Sequence, residues 1–430
     1  MSKFLRILTL VSLLLSPIAA NAQRTKGDEP HRTLLIPYPT ESLARERALT
    51  RQRYMQPIDE WVDVKGALRG EFTFPFSWLE RQVFIRIEGV CQPYEVFVNG
   101  KHAGGTTNGY AATEFNITKL SKEDKNRVEL RLMGSGEVAQ IECFDHSAPH
   151  PVAYIISQPR VRVCDVSWRT NIEKGGVVNV DFNVVMRNET LGAKRSRIYY
   201  ELFLNDTLRL TGGNLDVEVG MYGVDTMRFG APVPDSVLWS IDNPSRVSLR
   251  LKNRIEGRDV EFYNFDVALR ELRYEKGEFY INNAKCDITW HEISPRVSVE
   301  ELADIYASGV RAVRFTAGYV RDELLEYCDS HGLYVAITAP INSSSAGLSR
   351  RRIGNPSNNP SWRTEYVQRT MAAIYTTKRY PCVVAYFLAD DSANGICLYE
   401  SYLAAKAITS LPVFYEDGGG EWNSDDVYNR

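Results

Sequence analysis

Two adjacent carboxylates, Asp390 and Asp391, follow the apolar run Cys382-Val-Val-Ala-Tyr-Phe-Leu388, which itself comes after Pro381. A short apolar run bounded in this way reads as a buried strand with its polar chemistry at the C-terminal end. In a (β/α)8 barrel, that end of a strand is where catalytic groups sit. The chemistry a carboxylate offers there is proton transfer. Metal and thiol chemistry have less support. None of the 7 Cys forms a C-x-x-C pair, and the 6 His never cluster with Cys at zinc-ligand spacing.

A strand that presents Asp390 and Asp391 needs neighbours. After Gly277 the pattern alternates between strand and helix. Strands are expected at Glu278–Ile281, Val310–Phe315, Leu333–Ile337, Val383–Leu388 and Pro412–Tyr415. Helices are expected at Val299–Ser308 with Ser298 as N-cap, at Asp322–His331 closed by Gly332, at Trp362–Tyr380 and at Tyr399–Ile408. Alternation of this kind argues for a parallel sheet. About five βα elements are present, where a closed barrel needs eight.

The preceding chain reads as β. Gly70–Phe76, Gln82–Glu88, Tyr94–Val98, Glu114–Ile117 and Arg127–Leu132 alternate or run apolar, and Asn99-Gly100 is a hairpin signal. Together they predict a β-sandwich over 61–159. A second set, with Val177–Val185, Arg197–Leu204 and Arg246–Leu251 as its clearest strands, predicts an immunoglobulin-like sandwich over 160–268. The incomplete barrel then occupies 269–430, and residues 23–60 form a polar, irregular lead-in.

Residues 1–22 read as a secretory signal: Lys3 and Arg6 are basic, Ile7–Leu15 is apolar, and Ala20-Asn-Ala22 fits the cleavage rule. The expectation is an exported chain starting at Gln23, secreted or held in the periplasm or at the cell surface, with no membrane span after cleavage. Seven cysteines in an exported chain leave at least one free thiol, and buried thiols are expected rather than a framework of bridges. A net charge of −3 leaves no basic footprint for nucleic acid.

With the elements placed, five segments carry a resemblance. Glu88-Gly-Val90, Val98-Asn-Gly-Lys101 and Ala112–Thr118 are similar to a jelly-roll signature; Leu238-Trp-Ser-Ile-Asp-Asn-Pro244 is similar to a tryptophan–proline turn ending a second domain; Phe279–Lys285 is similar to a linker into the first barrel strand. In this order they resemble glycoside hydrolase family 2, the β-galactosidases, β-glucuronidases and β-mannosidases. The resemblance implies a jelly-roll sugar-binding domain, an immunoglobulin-like domain and a TIM-type barrel. It also implies two catalytic Glu residues, one protonating the leaving oxygen and one attacking the anomeric carbon.

Carried onto this chain, the resemblance marks both matches and losses. The family's S-L-G-N-E-S motif reads Phe387-Leu-Ala-Asp-Asp-Ser392 here, so Asp391 stands at the acid/base position and Asp390 at the Asn position. Asp is one methylene shorter than Glu, and an ionised Asp390 can only accept where an Asn amide would donate. Trp290-His-Glu292 resembles the family's R-H-E segment, which makes His291 and Glu292 candidate sugar contacts; a structural His291 is the alternative. Arg314 matches the Arg that orients the nucleophile, or else pairs with another carboxylate. The S-H-Y-P turn is Thr316-Ala-Gly-Tyr319, and the carboxylate-rich end of the third strand is Ile337-Thr-Ala-Pro-Ile-Asn-Ser-Ser344. Without those carboxylates no metal is expected there, and no cofactor is expected elsewhere. The family's nucleophile belongs on the seventh strand, beyond the chain; Glu416 and Glu421 lie on the correct face but the wrong strand.

The resulting expectation is an exported family 2-like protein of carbohydrate metabolism that has lost or nearly lost hydrolysis and retains carbohydrate binding. Two alternatives stand beside it. One is a retaining β-glycosidase that uses Asp391 as acid/base and is completed by a partner chain. The other is a non-catalytic adaptor in an exported assembly. An open sheet exposes an edge and apolar surface, so a homo-oligomer or a partner chain completing the barrel is also expected.

Overall fold

The computed structural model of the chain describes residues 31–49, 53–146, 150–173, 176–415 and 424–425. The signal-like segment 1–22 and the residues Glu416 and Glu421 lie outside them. Two β-sandwiches precede an α/β unit.

The first sandwich packs a four-stranded sheet on a five-stranded one. It begins earlier than its sequence pattern predicts, because Met55–Ile58 pairs with Val152–Pro159. The hairpin at Asn99-Gly100 forms, with φ of 52° and 78° at its two central residues. In the strand Arg81–Glu88, Val83, Ile85 and Ile87 face the core. The alternate positions Phe84, Arg86 and Glu88 are buried too. They meet the lead-in, where Arg32 donates to Glu114 Oε2 at 2.8 Å and to Gln158 Oε1 at 2.9 Å. Arg86 pairs with Glu88 and Glu114. The lead-in is therefore part of the fold, held by a charge network that would be costly to leave unpaired.

The second sandwich joins a three-stranded sheet (Val161–Ile172, Val178–Asn188, Val224–Val233) to a four-stranded one (Leu208–Val219, Lys194–Leu204, Val247–Ile255, Arg258–Val267). Strict alternation in Val178–Asn188 sends Val180, Phe182, Val184 and Met186 into its core.

The α/β unit has five parallel strands: β1 (His291–Ile293), β2 (Ala312–Phe315), β3 (Tyr334–Thr338), β4 (Val383–Phe387) and β5 (Val413–Phe414), in that order. Its helices are α1 (Val299–Ala307), α2 (Asp322–His331), α3 (Arg363–Thr377) and α4 (Ile396–Ile408). α1 starts at a capping box between Ser298 and Glu301. Glu278–Ile281 is not the first parallel strand. It is the middle strand of an antiparallel sheet with Leu272–Glu275 and Ala284–Cys286. Lys276-Gly277 and Asn282-Asn283 all have positive φ and make two tight hairpin turns. This small sheet lies over the inner face of the parallel sheet, where Phe279 packs with Ala336, Ala385, Phe387 and Phe414. It covers apolar surface that an open five-stranded sheet would otherwise expose.

All 7 cysteines are free thiols, and Cys91, Cys328, Cys382 and Cys397 are buried.

The second sandwich docks on the α/β unit through its tryptophan–proline turn. Trp239 Nε1 donates to Asp329 O at 3.1 Å. At Gly332, with φ of 72°, a Cβ would lie 2.2 Å from Ile241 O, so glycine is required both for the turn and for the contact. The Asp329 carboxylate accepts from Cys382 N at 2.7 Å. Burial there pushes its pKa up from 3.8 to about 7. Folding therefore favours the protonated acid. That contribution is fully present below the unfolded value of 3.8 and is lost as pH rises through about 7. Asp329→Asn keeps the acceptor for Cys382 and cannot ionise. Chemical unfolding across this pH range should show the wild-type stability falling relative to the variant as pH rises, then levelling. Parallel profiles would mean that Asp329 does not carry the proton.

Candidate functional site

The C-terminal ends of the parallel strands bring three of the candidate residues together. Register aligns Glu292, Arg314 and Ala336 across β1, β2 and β3, and Ala336 aligns with Ala385 on β4. Aligned residues share a face, and the two alanines beside Arg314, on β3 and β4, leave room over the sheet for its long side chain. The Arg314 guanidinium is 2% exposed and lies 4.0 Å from the centre of the Phe387 ring. Its Nη1 donates to Glu292 Oε1 at 2.9 Å, its Nη2 to Asp390 Oδ1 at 2.9 Å, and its Nε to Thr338 Oγ1 at 3.2 Å.

Asp390 faces inward. Besides Arg314, it accepts from the Ala317 amide at Oδ2, 2.7 Å away. Its own amide donates to Ile341 O at 2.9 Å. Burial raises its pKa; the Ala317 amide and the Arg314 guanidinium oppose that shift without cancelling it. Asp391 has the opposite setting. It is exposed, and among the described residues only its main-chain carbonyl is engaged, by Ser343 N at 3.1 Å. Ser343 N also donates to the buried Ser392 Oγ at 3.0 Å.

The structure does not bring His291 to this cluster. It alternates to the other face of β1, opposite Val313, and is exposed. Glu292 is exposed as well, at 57% of its side chain, but is anchored by Arg314. Two contributors were absent from the sequence-based set, Thr338 and Phe387. Both follow from the period-two alternation once the inner face of β3 and β4 is known.

Asn342 follows β3 and is buried. Its Oδ1 caps Ser344 N at 3.0 Å. Its backbone forms a β-bridge to Glu142 of the first sandwich. Among the described residues, no group of three or more His, Cys, Asp or Glu side chains is arranged to hold a metal ion. Below the ion cluster, on the same inner face, lies an open cavity of about 540 Å³ whose aromatic walls are Tyr274, Phe279, Trp290, Phe387 and Phe414.

Comparison with known proteins bears on what this arrangement descends from. The family described as "Glycosyl hydrolases family 2, sugar binding domain" matches residues 56–146, and "Glycosyl hydrolases family 2, TIM barrel domain" matches residues 290–429. The chain belongs to glycoside hydrolase family 2. A β-galactosidase of Alteromonas mediterranea is 23% identical over 394 residues, covering 86% of this chain and 37% of that protein. A β-galactosidase of Priestia megaterium is 20% identical over 81% of this chain and 36% of its own length. This family 2 chain thus spans little more than a third of these relatives. A solved family 2 structure from Bacteroides cellulosilyticus superposes with a TM-score of 0.70 at 14% identity, over 81% of this chain and 49% of that one. A Bacteroides uniformis β-glucuronidase superposes with a TM-score of 0.67 at 15% identity, over 81% and 46%.

The ion cluster makes a stability prediction for the family 2 fold. Arg314→Met leaves Asp390 buried with only the Ala317 amide and should cost about 3 kcal/mol. Asp390→Asn keeps an acceptor for Ala317 and leaves Arg314 paired with Glu292, so it should cost about 1 kcal/mol. Urea unfolding of both variants checks the order; equal losses would mean the cluster does not stabilise the sheet as a unit.

Proposed function

We propose that this is an exported family 2 protein of carbohydrate metabolism that binds carbohydrate and has lost or nearly lost hydrolase activity. The observation that carries this reading is the ion pair between Arg314 and Asp390. Retaining hydrolysis needs one carboxyl group free to protonate and a second free to attack, about 5 Å apart. Here a single guanidinium holds both Glu292 and Asp390. Three of its five N–H donors are thereby committed, to Thr338, Glu292 and Asp390. The acid/base position is filled by Asp391, one methylene shorter than Glu, and proton transfer tolerates such a displacement poorly. The first sandwich and the aromatic cavity support retained sugar contacts, since aromatic faces suit sugar rings.

A second reading is an active β-glycosidase with Asp391 as acid/base and a partner chain supplying the remaining strands. It is favoured by one observation: the Asp391 side chain is exposed and makes no hydrogen bond or ion pair with another described residue.

Hydrolysis of aryl β-galactoside, β-glucuronide, β-mannoside and β-glucoside by the purified chain, with Asp391→Ala as control, separates the two readings. The expected result is no turnover above the control, alongside retained binding on a glycan array. Turnover abolished in Asp391→Ala would overturn loss of activity, and silence on the array with intact folding would leave the adaptor reading.

A further inference from the structure

The loop after β3 carries three consecutive arginines, Arg350, Arg351 and Arg352, all exposed. Some surface arginines have carboxylate partners: Arg197 meets Asp216 at 2.6 Å and Arg254 meets Asp259 at 2.7 Å. Arg351 and Arg352 have no such partner among the described residues.

The loop is built rather than loose. Asn355 Nδ2 donates to Gly347 O at 3.2 Å and to Ser349 O at 3.4 Å, and Asn358 Nδ2 donates to Arg350 O at 3.4 Å. Arg352 N closes a turn onto Ser349 O at 3.0 Å. These bonds fix the backbone that carries the three arginines. Around them is an open cavity of about 690 Å³, whose wall also includes the exposed amides of Asn358 and Asn359. The concavity is open to solvent and mostly polar.

The position is equally specific. The loop follows a strand of the parallel sheet and so lies at the same end as Asp391. It touches the segment after Asp391 directly: at Gly395 a Cβ would be 2.2 Å from Ser357 O, so only glycine permits the approach. Ser343, at the start of the loop, bonds the Asp391 carbonyl.

We propose that the arginine loop is a binding site for the acidic groups of an anionic glycan, carboxylate or sulfate, at the mouth of the sheet. Guanidinium groups bind both groups through paired N–H donors, and the flanking asparagine amides suit neighbouring hydroxyls. The inference deepens the carbohydrate-binding reading and rests on it. A net charge of −3 makes the loop a local exception rather than part of a basic face of the kind nucleic acid requires.

The test is calorimetric titration of the full chain with oligogalacturonate, chondroitin sulfate oligosaccharides, neutral galactan and xylan oligosaccharides, and single-stranded DNA. The comparison protein carries Arg350→Ser, Arg351→Ser and Arg352→Ser together, with circular dichroism to verify its fold. One acidic glycan should bind roughly ten-fold or more tightly than the neutral ones, weaken as salt rises, and lose that advantage in the variant. Three results overturn the proposal: acidic glycans no tighter than neutral ones, an advantage that survives in the variant, or DNA bound as tightly as the acidic glycan. Binding of neutral glycans alone would remove this inference and keep the carbohydrate-binding reading; binding of no glycan would remove both.

Discussion

The architecture turns on one guanidinium. Arg369, on α3, is fully buried and reaches three parts of the molecule. Its Nε holds Glu365 at 2.7 Å on the same helix, and its Nη1 holds Pro340 O at 2.8 Å just after β3. Its Nη2 holds Thr107 O at 3.1 Å and Glu142 Oε1 at 2.5 Å, both in the first sandwich. Burying that charge is expensive unless its donors are satisfied, and these four acceptors offset the cost. Burial also raises the pKa of Glu142, against which the arginine works. Pro340 lies next to Ile341, which accepts the Asp390 amide, and near Ser343, which bonds the Asp391 carbonyl. The carboxylate pair is thus placed by a contact with another domain as much as by its own strand.

Arg314 shows the same chemistry put to a different end. Where Arg369 joins domains, Arg314 neutralises two carboxylates on one face of one sheet. In both cases hydrogen bonding to charge decides the local structure, and the apolar packing around it decides how strong that bonding is. The antiparallel sheet of Leu272–Cys286 matters for the same reason. It packs Phe279 on the inner face below Arg314 and walls the open cavity there, while the upper side of the cluster stays exposed at Glu292.

Periodicity and turn chemistry made much of this legible. Asp322–His331 with Gly332, and Ser298 ahead of α1, are positions where local rules and tertiary structure agree. The first parallel strand was hidden, because it is only three residues long and two of them, His291 and Glu292, are polar and exposed. Glu278–Ile281 looked like that strand because an isolated apolar run does not say which sheet it joins; the Asn282-Asn283 turn was the missed clue. At the site, residue types were readable but pairings were not. The partner of Arg314 could be framed only as one carboxylate or another, since strand register across the sheet chooses between them. The role of Glu142, from a loop of a different domain, left no local trace.

The Arg369–Glu142 contact joins residues 227 positions apart. Closing so long a loop costs chain entropy before any contact offsets it, so a pairing of this separation belongs to the late steps of folding. The first sandwich leaves the ribosome well before α3 and folds on contacts internal to itself. The segment of Pro340 and Ser343 is thus anchored through a contact that neither domain can form alone.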